Sequence, residues 1–283
     1  MSCLRPITLL NKSTVPCGKC PNCLYRQASG WAFRLLQEER VSSSSYFITF
    51  TYAPENIVTT PSGKSSLCSY HFQCFIKRLR KQHRGDHPIK YYAVGEYGSK
   101  TKRPHYHAII FNADVETIEL AWSHREPGKK PVQIGELYYG DVTGASIGYT
   151  LKYISKGRIV PTHPGDDRQR EFSLMSKGLG ISYLSENIKA WHQADLYNRS
   201  FLTLPGGIKT SMPRYYYEKL YDGYQKDLLK FSGSLIRQDE FFKLFEKGLH
   251  MGHESLIKEQ LMTKRVDAAF RKHNYQNQKT LVL

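Results

Sequence analysis

One stretch of seven residues at positions 46–52, Tyr-Phe-Ile-Thr-Phe-Thr-Tyr, constrains the fold more than any other part of this sequence. Its aromatic and β-branched residues alternate with a period of two and stop before Pro54, which is typical of a β-strand. A second apolar stretch, His105–Phe111, has the same character. We expect both stretches to be strands of a sheet at the centre of the protein.

Amphipathic segments alternate with these strands. Between Tyr70 and Arg84, apolar residues recur at helical spacing while basic residues project elsewhere, so a helix is predicted there. The other expected elements are a helix at Trp31–Arg40, a strand ending in Val94, a turn at Glu96–Gly98, a helix at Val115–Trp122, a strand at Gly135–Val142 and a helix at Ala145–Lys156. This order predicts an α+β domain with a central antiparallel sheet and flanking helices.

Changes in composition divide the chain into four expected parts. After Gly157 the sequence becomes polar and contains several prolines, which marks the end of the predicted core. The parts are an N-terminal cysteine cluster with a helix (1–45), the core (46–157), an accessory segment (158–223) and a basic C-terminal helical extension (224–283).

The charge of the chain predicts a polyanionic partner. It has 41 Lys and Arg against 25 Asp and Glu, a formal net charge of +16. A field of this sign attracts nucleic acid and releases its counterions on binding, and an anionic membrane surface is the weaker alternative. Since no stretch approaches the roughly 20 apolar residues of a membrane helix and the N-terminus lacks a long apolar signal core, we expect a cytoplasmic protein.

A pair of histidines in one apolar strand is the clearest chemical feature. His105 and His107 stand two residues apart, so both imidazoles project from the same face of the strand. Glu96 lies before them, where antiparallel pairing would add a carboxylate and leave coordination positions open for a phosphate oxygen. The alternatives are two hydrogen-bonded histidines placed together by chance and a glutamate with only a turn role.

Two tyrosines and a lysine follow at helical spacing. Tyr149, Tyr153 and Lys156 align on one face of the predicted helix, where two phenols and a cation could serve a phosphate. The spacing alone is weak, since a second Tyr-x-x-x-Tyr pair occurs at Tyr217 and Tyr221. The alternative is an aromatic face packed on the sheet.

Three cysteines at two-residue gaps, Cys17, Cys20 and Cys23, suit a reduced cluster or a metal better than disulfides. Together with Cys3 they offer four thiolates for a structural zinc ion. A plain cluster of reduced cysteines is the alternative. Other basic residues could follow a DNA backbone, with a solvated charged surface as the alternative: Lys77, Arg78, Arg80, Lys81, Arg84 and Arg103.

In this order, Phe-Ile-Thr-Phe-Thr at 47–51, Arg-Pro-His-Tyr-His at 103–107 and Tyr149-x3-Tyr153-x2-Lys156 resemble the three motifs of the HUH replication initiators. More narrowly, the chain resembles the replication initiation proteins of microviruses, the gokushovirus-like single-stranded DNA phages. The similarity covers about residues 17–156. The ordered set of motifs is specific where each motif alone is not.

The resemblance implies a function and a site. It implies Mg²⁺ or Mn²⁺ held by His105 and His107 with Glu96 as third ligand, and Tyr149 and Tyr153 as paired nucleophiles, while Lys156 would stabilise the phenolate or the phosphate. The expected activity is nicking and joining of single-stranded DNA at a replication origin in the host bacterial cytoplasm, through a 5′-phosphotyrosine and a 3′-hydroxyl primer. A host helicase and polymerase would then be partners.

Two other functions stay open at this point. A transposase or relaxase with the same chemistry would differ in the DNA structure that it recognises. A noncatalytic binder of single-stranded nucleic acid would need only the basic charge and the aromatic content of 13%. Metal-dependent cleavage of a DNA strand separates the enzymes from the binder.

Overall fold

The computed structural model describes residues 3–12, 14–124, 128, 130–155 and 160–233. Its helices are α1 (Pro21–Glu39), α2 (Ser69–Gln82), α3 (Val115–Ala121), α4 (Gly144–Ser155), α5 (Glu186–Ala194) and α6 (Arg214–Leu220). Its strands are β1 (Ile7–Thr8), β2 (Thr14–Val15), β3 (Ser45–Phe50), β4 (Val58–Thr59), β5 (Ser65–Ser66), β6 (Lys90–Tyr97), β7 (Pro104–Phe111), β8 (Ser123–His124), β9 (Val132–Gln133), β10 (Leu137–Gly140), β11 (Phe172–Met175), β12 (Phe201–Leu204) and β13 (Ile208–Ser211). The chain forms two compact units, residues 31–182 and residues 1–30 with 183–283.

A five-stranded antiparallel sheet in the order β10-β3-β7-β6-β11 forms the centre of residues 31–182. The two apolar stretches of the sequence are its inner strands β3 and β7, where β-branched and aromatic side chains pack on a pleated surface. The predicted α+β class and the antiparallel pairing of the histidine strand with the strand before it are confirmed.

The two faces of this sheet are covered differently. Successive residues of a strand point to opposite faces, so Tyr106, Ala108 and Ile110 share one face. That face carries the hydrophobic core, where α2 packs with Phe72 against Tyr106 and α3 closes the layer with Trp122. His105 and His107 project from the opposite face. The sheet therefore separates the main apolar core from the histidines.

Three boundaries differ from those expected. Helix α1 begins at Pro21 rather than Trp31 and runs through Gly30, where an added Cβ would lie 3.2 Å from Pro213. Strand β6 continues to Tyr97 instead of ending at Val94, so Glu96 belongs to the strand and not to a turn. The compact unit 31–182 is wider than the expected core of 46–157, because β11 adds to the sheet beside β6.

Residues 183–233 contain α5, the β12–β13 hairpin and α6. Tyr183 links these elements, since its hydroxyl bonds to Nε2 of the buried His192 on α5 and its ring meets Tyr216 on α6. Residues 223–233 are helical, and the rest of the predicted basic extension, 234–283, lies outside the described residues. No helix of the described residues is both long and apolar enough to cross a membrane.

Candidate metal centre and the tyrosine helix

The register of β6 against β7 brings one carboxylate and two imidazoles together. Glu96 pairs directly with His105, and Val94 pairs with His107, so the three side chains share the face away from the main core. Nε2 of His105 and Nε2 of His107 each lie 2.9 Å from the same oxygen, Oε1 of Glu96. The three donor atoms lie within 4.8 Å of one another.

Each imidazole is held at its other nitrogen by a separate partner. Nδ1 of His105 lies 3.1 Å from the backbone oxygen of Arg103, and a carbonyl oxygen can only accept, so Nδ1 carries a hydrogen. In the neutral ring, Nε2 then presents its lone pair to Glu96. Nδ1 of His107 lies 3.0 Å from the hydroxyl of Thr49, its partner across β3, and the ring of Phe47 stacks on the same imidazole.

The buried Nε2 of His107 makes no hydrogen bond with acceptable geometry, although it lies close to Glu96. A lone pair facing a carboxylate is repulsive unless a proton or a cation lies between the two. A divalent ion with ligand bonds of about 2.1 Å brings neighbouring donor atoms about 3 Å apart, which the distances of this cluster match. Two nitrogen donors and one carboxylate therefore fit a divalent metal ion with open positions.

Glu96 is ionised over the whole physiological pH range. Burial by itself would raise the pKa of this carboxyl, but bonds from His105, His107 and Tyr153 lower the pKa to about 2. A permanent negative charge in a buried position needs a compensating positive charge. The carboxylate thus supplies the anionic ligand that a divalent ion requires.

Helix α4 brings both candidate nucleophiles to this cluster. The ring of Tyr149 meets His107 edge to face at 5.0 Å, and the ring of Tyr153 stacks over His107 at 6.4 Å. The helix presents these rings because Ile147 and Leu151, on other positions of its surface, are buried. Tyr149 keeps 37% of its surface exposed. Lys156 lies outside the described residues.

Both phenols are neutral in this environment. Burial raises the pKa of Tyr149, and burial together with the Glu96 carboxylate raises the pKa of Tyr153. A phenol becomes a good nucleophile only when positive charge stabilises its anion. The arrangement therefore requires a cation before either tyrosine can react.

The sequence analysis missed Thr49 and Phe47. Both lie in the apolar stretch that predicted β3, and both point to the face of the histidines. Their alternation in the strand was visible, but the face that they share with His107 follows only from the register of β3 against β7. A register cannot be read from one strand alone.

The basic residues proposed for DNA lie mostly away from this cluster, because α2 packs on the opposite face of the sheet. Arg78 donates from Nε to the carbonyl of Ala121, and Arg80 lies over the ring of Tyr91. The side chains of Lys77, Lys81 and Arg84 are exposed. Arg103, just before β7, lines a cleft of about 800 Å³. Of the six, only Arg103 is adjacent in sequence to the strand of the histidines.

The four cysteines of the other compact unit also come together. Cys3, Cys17, Cys20 and Cys23 place their sulfur atoms within 4.8 Å of one another. Cys3 Sγ lies 3.9 Å from Cys20 Sγ, and Cys17 Sγ lies 4.0 Å from Cys23 Sγ. These separations are too long for a disulfide of about 2.05 Å. They match four sulfurs about 2.3 Å from one tetrahedral ion, which are about 3.8 Å apart.

Backbone amides point at these sulfurs, as thiolates require. Leu4 donates to Cys20 Sγ and the amide of Cys17 donates to Cys3 Sγ. A backbone hydrogen bond from Lys19 is the largest cause that lowers the pKa of the Cys17 thiol, to about 6, whereas burial raises the pKa of Cys23 to about 12. A bound cation would be needed to hold all four as thiolates.

Comparisons with known proteins agree on one family. The sequence model of a family described as replication-associated protein ORF2 matches residues 45–158. The chain is 31% identical over 215 residues to the replication-associated protein ORF2 of Spiroplasma virus 4, covering 72% of this chain and 66% of that protein. It is 30% identical over 226 residues to the replication-associated protein VP4 of Bdellovibrio phage phiMH2K, covering 71% and 65%.

A third relative, the replication-associated protein ORF4 of Chlamydia phage 1, is 27% identical over 250 residues, which are 81% of this chain and 56% of that protein. The chain thus spans about two thirds or less of the length of these relatives. No solved structure matches it.

Proposed function

Because this chain belongs to the family of the replication-associated protein ORF2, we propose that it starts rolling-circle replication by nicking and rejoining single-stranded DNA. The observation that carries this proposal is the contact of both tyrosines of α4 with His107, one of three candidate metal ligands. A noncatalytic binder would not need a buried carboxylate, two imidazoles and two phenols in one cluster.

Glu96, His105 and His107 would hold the metal ion. Bound Mg²⁺ or Mn²⁺ would supply positive charge that neutralises the nonbridging oxygens of the scissile phosphate and offsets the Glu96 carboxylate. The residues of this chain do the rest. Thr49 and the Arg103 carbonyl orient the imidazoles, and α4 holds the phenols beside them.

In the proposed step, a phenol oxygen of Tyr149 or Tyr153 attacks the phosphorus atom. A bond forms between that oxygen and phosphorus while the bond from phosphorus to the 3′ oxygen breaks. The phenolic hydrogen is given up and the released 3′ oxygen takes a proton, so the products are a 5′-phosphotyrosine and a 3′ hydroxyl. The hydroxyl would prime a polymerase, and its attack on the phosphotyrosine would reverse the step without ATP.

Two tyrosines on one helix favour an initiator that acts twice. One phenol could stay linked to the first 5′ end while the other attacks the regenerated origin. Lys156 would stabilise charge beside them. A host helicase that unwinds the duplex is the partner that such a cycle needs.

The test is the covalent adduct itself. The protein is incubated with single-stranded DNA of its own genome, with Mn²⁺ or with chelator, and resolved on a denaturing gel. We expect a Mn²⁺-dependent adduct in the wild type and in Tyr149→Phe or Tyr153→Phe, and none in the double variant. Normal DNA binding without an adduct, with several origin sequences tried, would support the noncatalytic binder instead.

A separate proposal concerns the four cysteines. We infer that Cys3, Cys17, Cys20 and Cys23 hold one structural zinc ion, because closed sets of four sulfur ligands are typical of structural zinc. The sulfur separations and the amides that donate to the sulfurs support this assignment. Such a site leaves no coordination position for a substrate, so its role would be stability of the N-terminal segment.

A further inference from the structure

Aromatic and cationic side chains form a row on the β12–β13 hairpin and the neighbouring end of α5. Thr203 pairs with Lys209 in the hairpin, so Lys209 projects from the same face as Phe201. Lys209 Nζ lies 4.3 Å from the centre of the Phe201 ring, which meets Trp191 edge to face at 6.2 Å. The guanidinium of Arg199 lies 5.0 Å from the Trp191 ring. Lys209, Phe201, Trp191 and Arg199 are called the aromatic-cation row below.

The row is open to solvent. Trp191 keeps 42% of its surface exposed although Arg199 covers part of the ring. Within the described residues, β12 and β13 pair only with each other, so no further strand extends their sheet. Single exposed apolar residues are common on protein surfaces, but an exposed tryptophan beside a second ring and between two cations is typical of a binding surface.

The two cations of the row differ from other cations of the described residues 183–233. Lys189, Lys226 and Lys230 each lie within 2.9 Å of a carboxylate oxygen. Arg199 and Lys209 have no carboxylate oxygen within 4.0 Å among the residues that the structure describes. Their charge is therefore available to an anion, and the net charge of +16 favours a polyanion.

We propose that the aromatic-cation row is a second binding site for single-stranded DNA. Unpaired bases would stack on Trp191 and Phe201, while Arg199 and Lys209 would pair with phosphates. A duplex hides the faces of its bases, so it cannot use these rings in the same way. The identity of the ligand rests on the proposed function. The site itself belongs to the compact unit that does not contain the tyrosine helix.

Binding is measured without chemistry. The full chain is titrated, in the presence of a chelator that binds Mg²⁺ and Mn²⁺ but is too weak to remove a structural zinc ion, into a fluorescein-labelled single strand of about 16 nucleotides, and anisotropy is followed at several salt concentrations. Trp191→Leu should weaken binding about 5- to 100-fold. Trp191→Phe keeps a ring and should retain most of the affinity, which separates lost stacking from a damaged fold.

The charge of the row is tested by a matched pair. Lys209→Gln should reduce the slope of log affinity against log salt by about 0.7. Lys189→Gln removes the same charge from α5, but that lysine is paired with Glu186, so it should leave the slope nearly unchanged. A duplex of the same sequence should bind wild type and Trp191→Leu equally.

Tryptophan fluorescence gives an independent measurement, because Trp122 is fully buried and Trp31 is half-buried. Single-stranded DNA should quench the emission of the wild type and should quench Trp191→Leu far less. Unchanged affinity in Trp191→Leu, or unchanged quenching, would overturn this inference and leave the nicking proposal untouched. Conversely, a protein that binds through the row but forms no phosphotyrosine would overturn only the nicking proposal.

Discussion

Thr49 holds the imidazole of His107 on the side away from Glu96. Its hydroxyl lies 3.0 Å from Nδ1, and such a partner fixes the orientation of a metal-binding ring. We therefore expect Thr49→Val to weaken Mn²⁺ binding about 10- to 100-fold. Isothermal titration of the protein with Mn²⁺, in the absence of DNA, measures this directly.

Thr49→Ser is the matched control, because it keeps the hydroxyl and loses only a methyl group. We expect its Mn²⁺ affinity to stay close to that of the wild type. Equal affinities of the valine and wild-type proteins would mean that Thr49 does not position His107. The melting temperature of each variant shows whether the strand itself is damaged.

Single residues of the candidate site could be predicted where the spacing was local. The i, i+2 histidines and the i, i+4 tyrosines each fix a common face by backbone geometry alone. Thr49 could not be predicted, since its contact with His107 depends on pairing between strands far apart in sequence. The same limit applies to Arg78 and Arg80, whose structural contacts lie on other elements.

At the scale of elements, α3 begins with a capping side chain. Asp114 accepts hydrogen bonds from the amide and the hydroxyl of Thr117, and these bonds lower the pKa of its carboxyl. Asp114→Ala should reduce the free energy of unfolding by about 0.5–2 kcal/mol at neutral pH. Urea unfolding of both proteins measures the difference.

The effect of Asp114 should depend on pH. A carboxyl whose pKa is lowered in the folded state contributes its full stability above the unfolded pKa, and this stability is lost as the pH falls through the folded pKa. The difference between wild type and Asp114→Ala should therefore shrink in acid. A difference that stays constant down to the lowest pH at which the protein folds would contradict the assignment.

Gly135 precedes β10 at a place where no side chain fits. A Cβ there would lie 2.2 Å from the backbone oxygen of Thr51, so Gly135→Ala must displace β10 from β3. We expect a loss of about 1–3 kcal/mol or more in the free energy of unfolding. Gly144→Ala is the control, because nothing lies within 4 Å of its added Cβ.

The elements themselves were largely predictable, and their limits were not. Period-two and helical patterns identified β3, β7, α2 and α3 within a few residues, because each buries one face. The first half of α1 was missed, since Cys20 and Cys23 suggested a metal loop and Gly30 suggested a break. The strand β11 was missed because its four residues follow a polar, Pro-containing segment that indicates a loop.

At the scale of the whole molecule, the cysteine cluster predicts a dependence on zinc. We expect about one zinc ion for each chain, measured by elemental analysis of protein purified without added metal. Removal by a strong chelator should lower the Tm by at least about 5 °C, because the free energy of binding a structural metal is also free energy of folding. Cys20→Ser should have the same effect.

Cys74→Ser is the control for this experiment, since Cys74 lies on α2 and outside the cluster. It should bind zinc like the wild type. Four thiols that react with a thiol reagent at the same rate before and after chelation would argue for a plain reduced cluster.

The hairpin formed by β6 and β7 carries all three candidate metal ligands on one short piece of chain. Hairpins of this kind close within microseconds and involve contacts of low order, so Glu96, His105 and His107 should meet early in folding. The tyrosine helix joins them later, through a longer loop. Changes in the segments between β7 and α4 can then alter where the nucleophiles lie without altering the ligand set, which gives such a protein a route to new DNA specificities with its metal chemistry preserved.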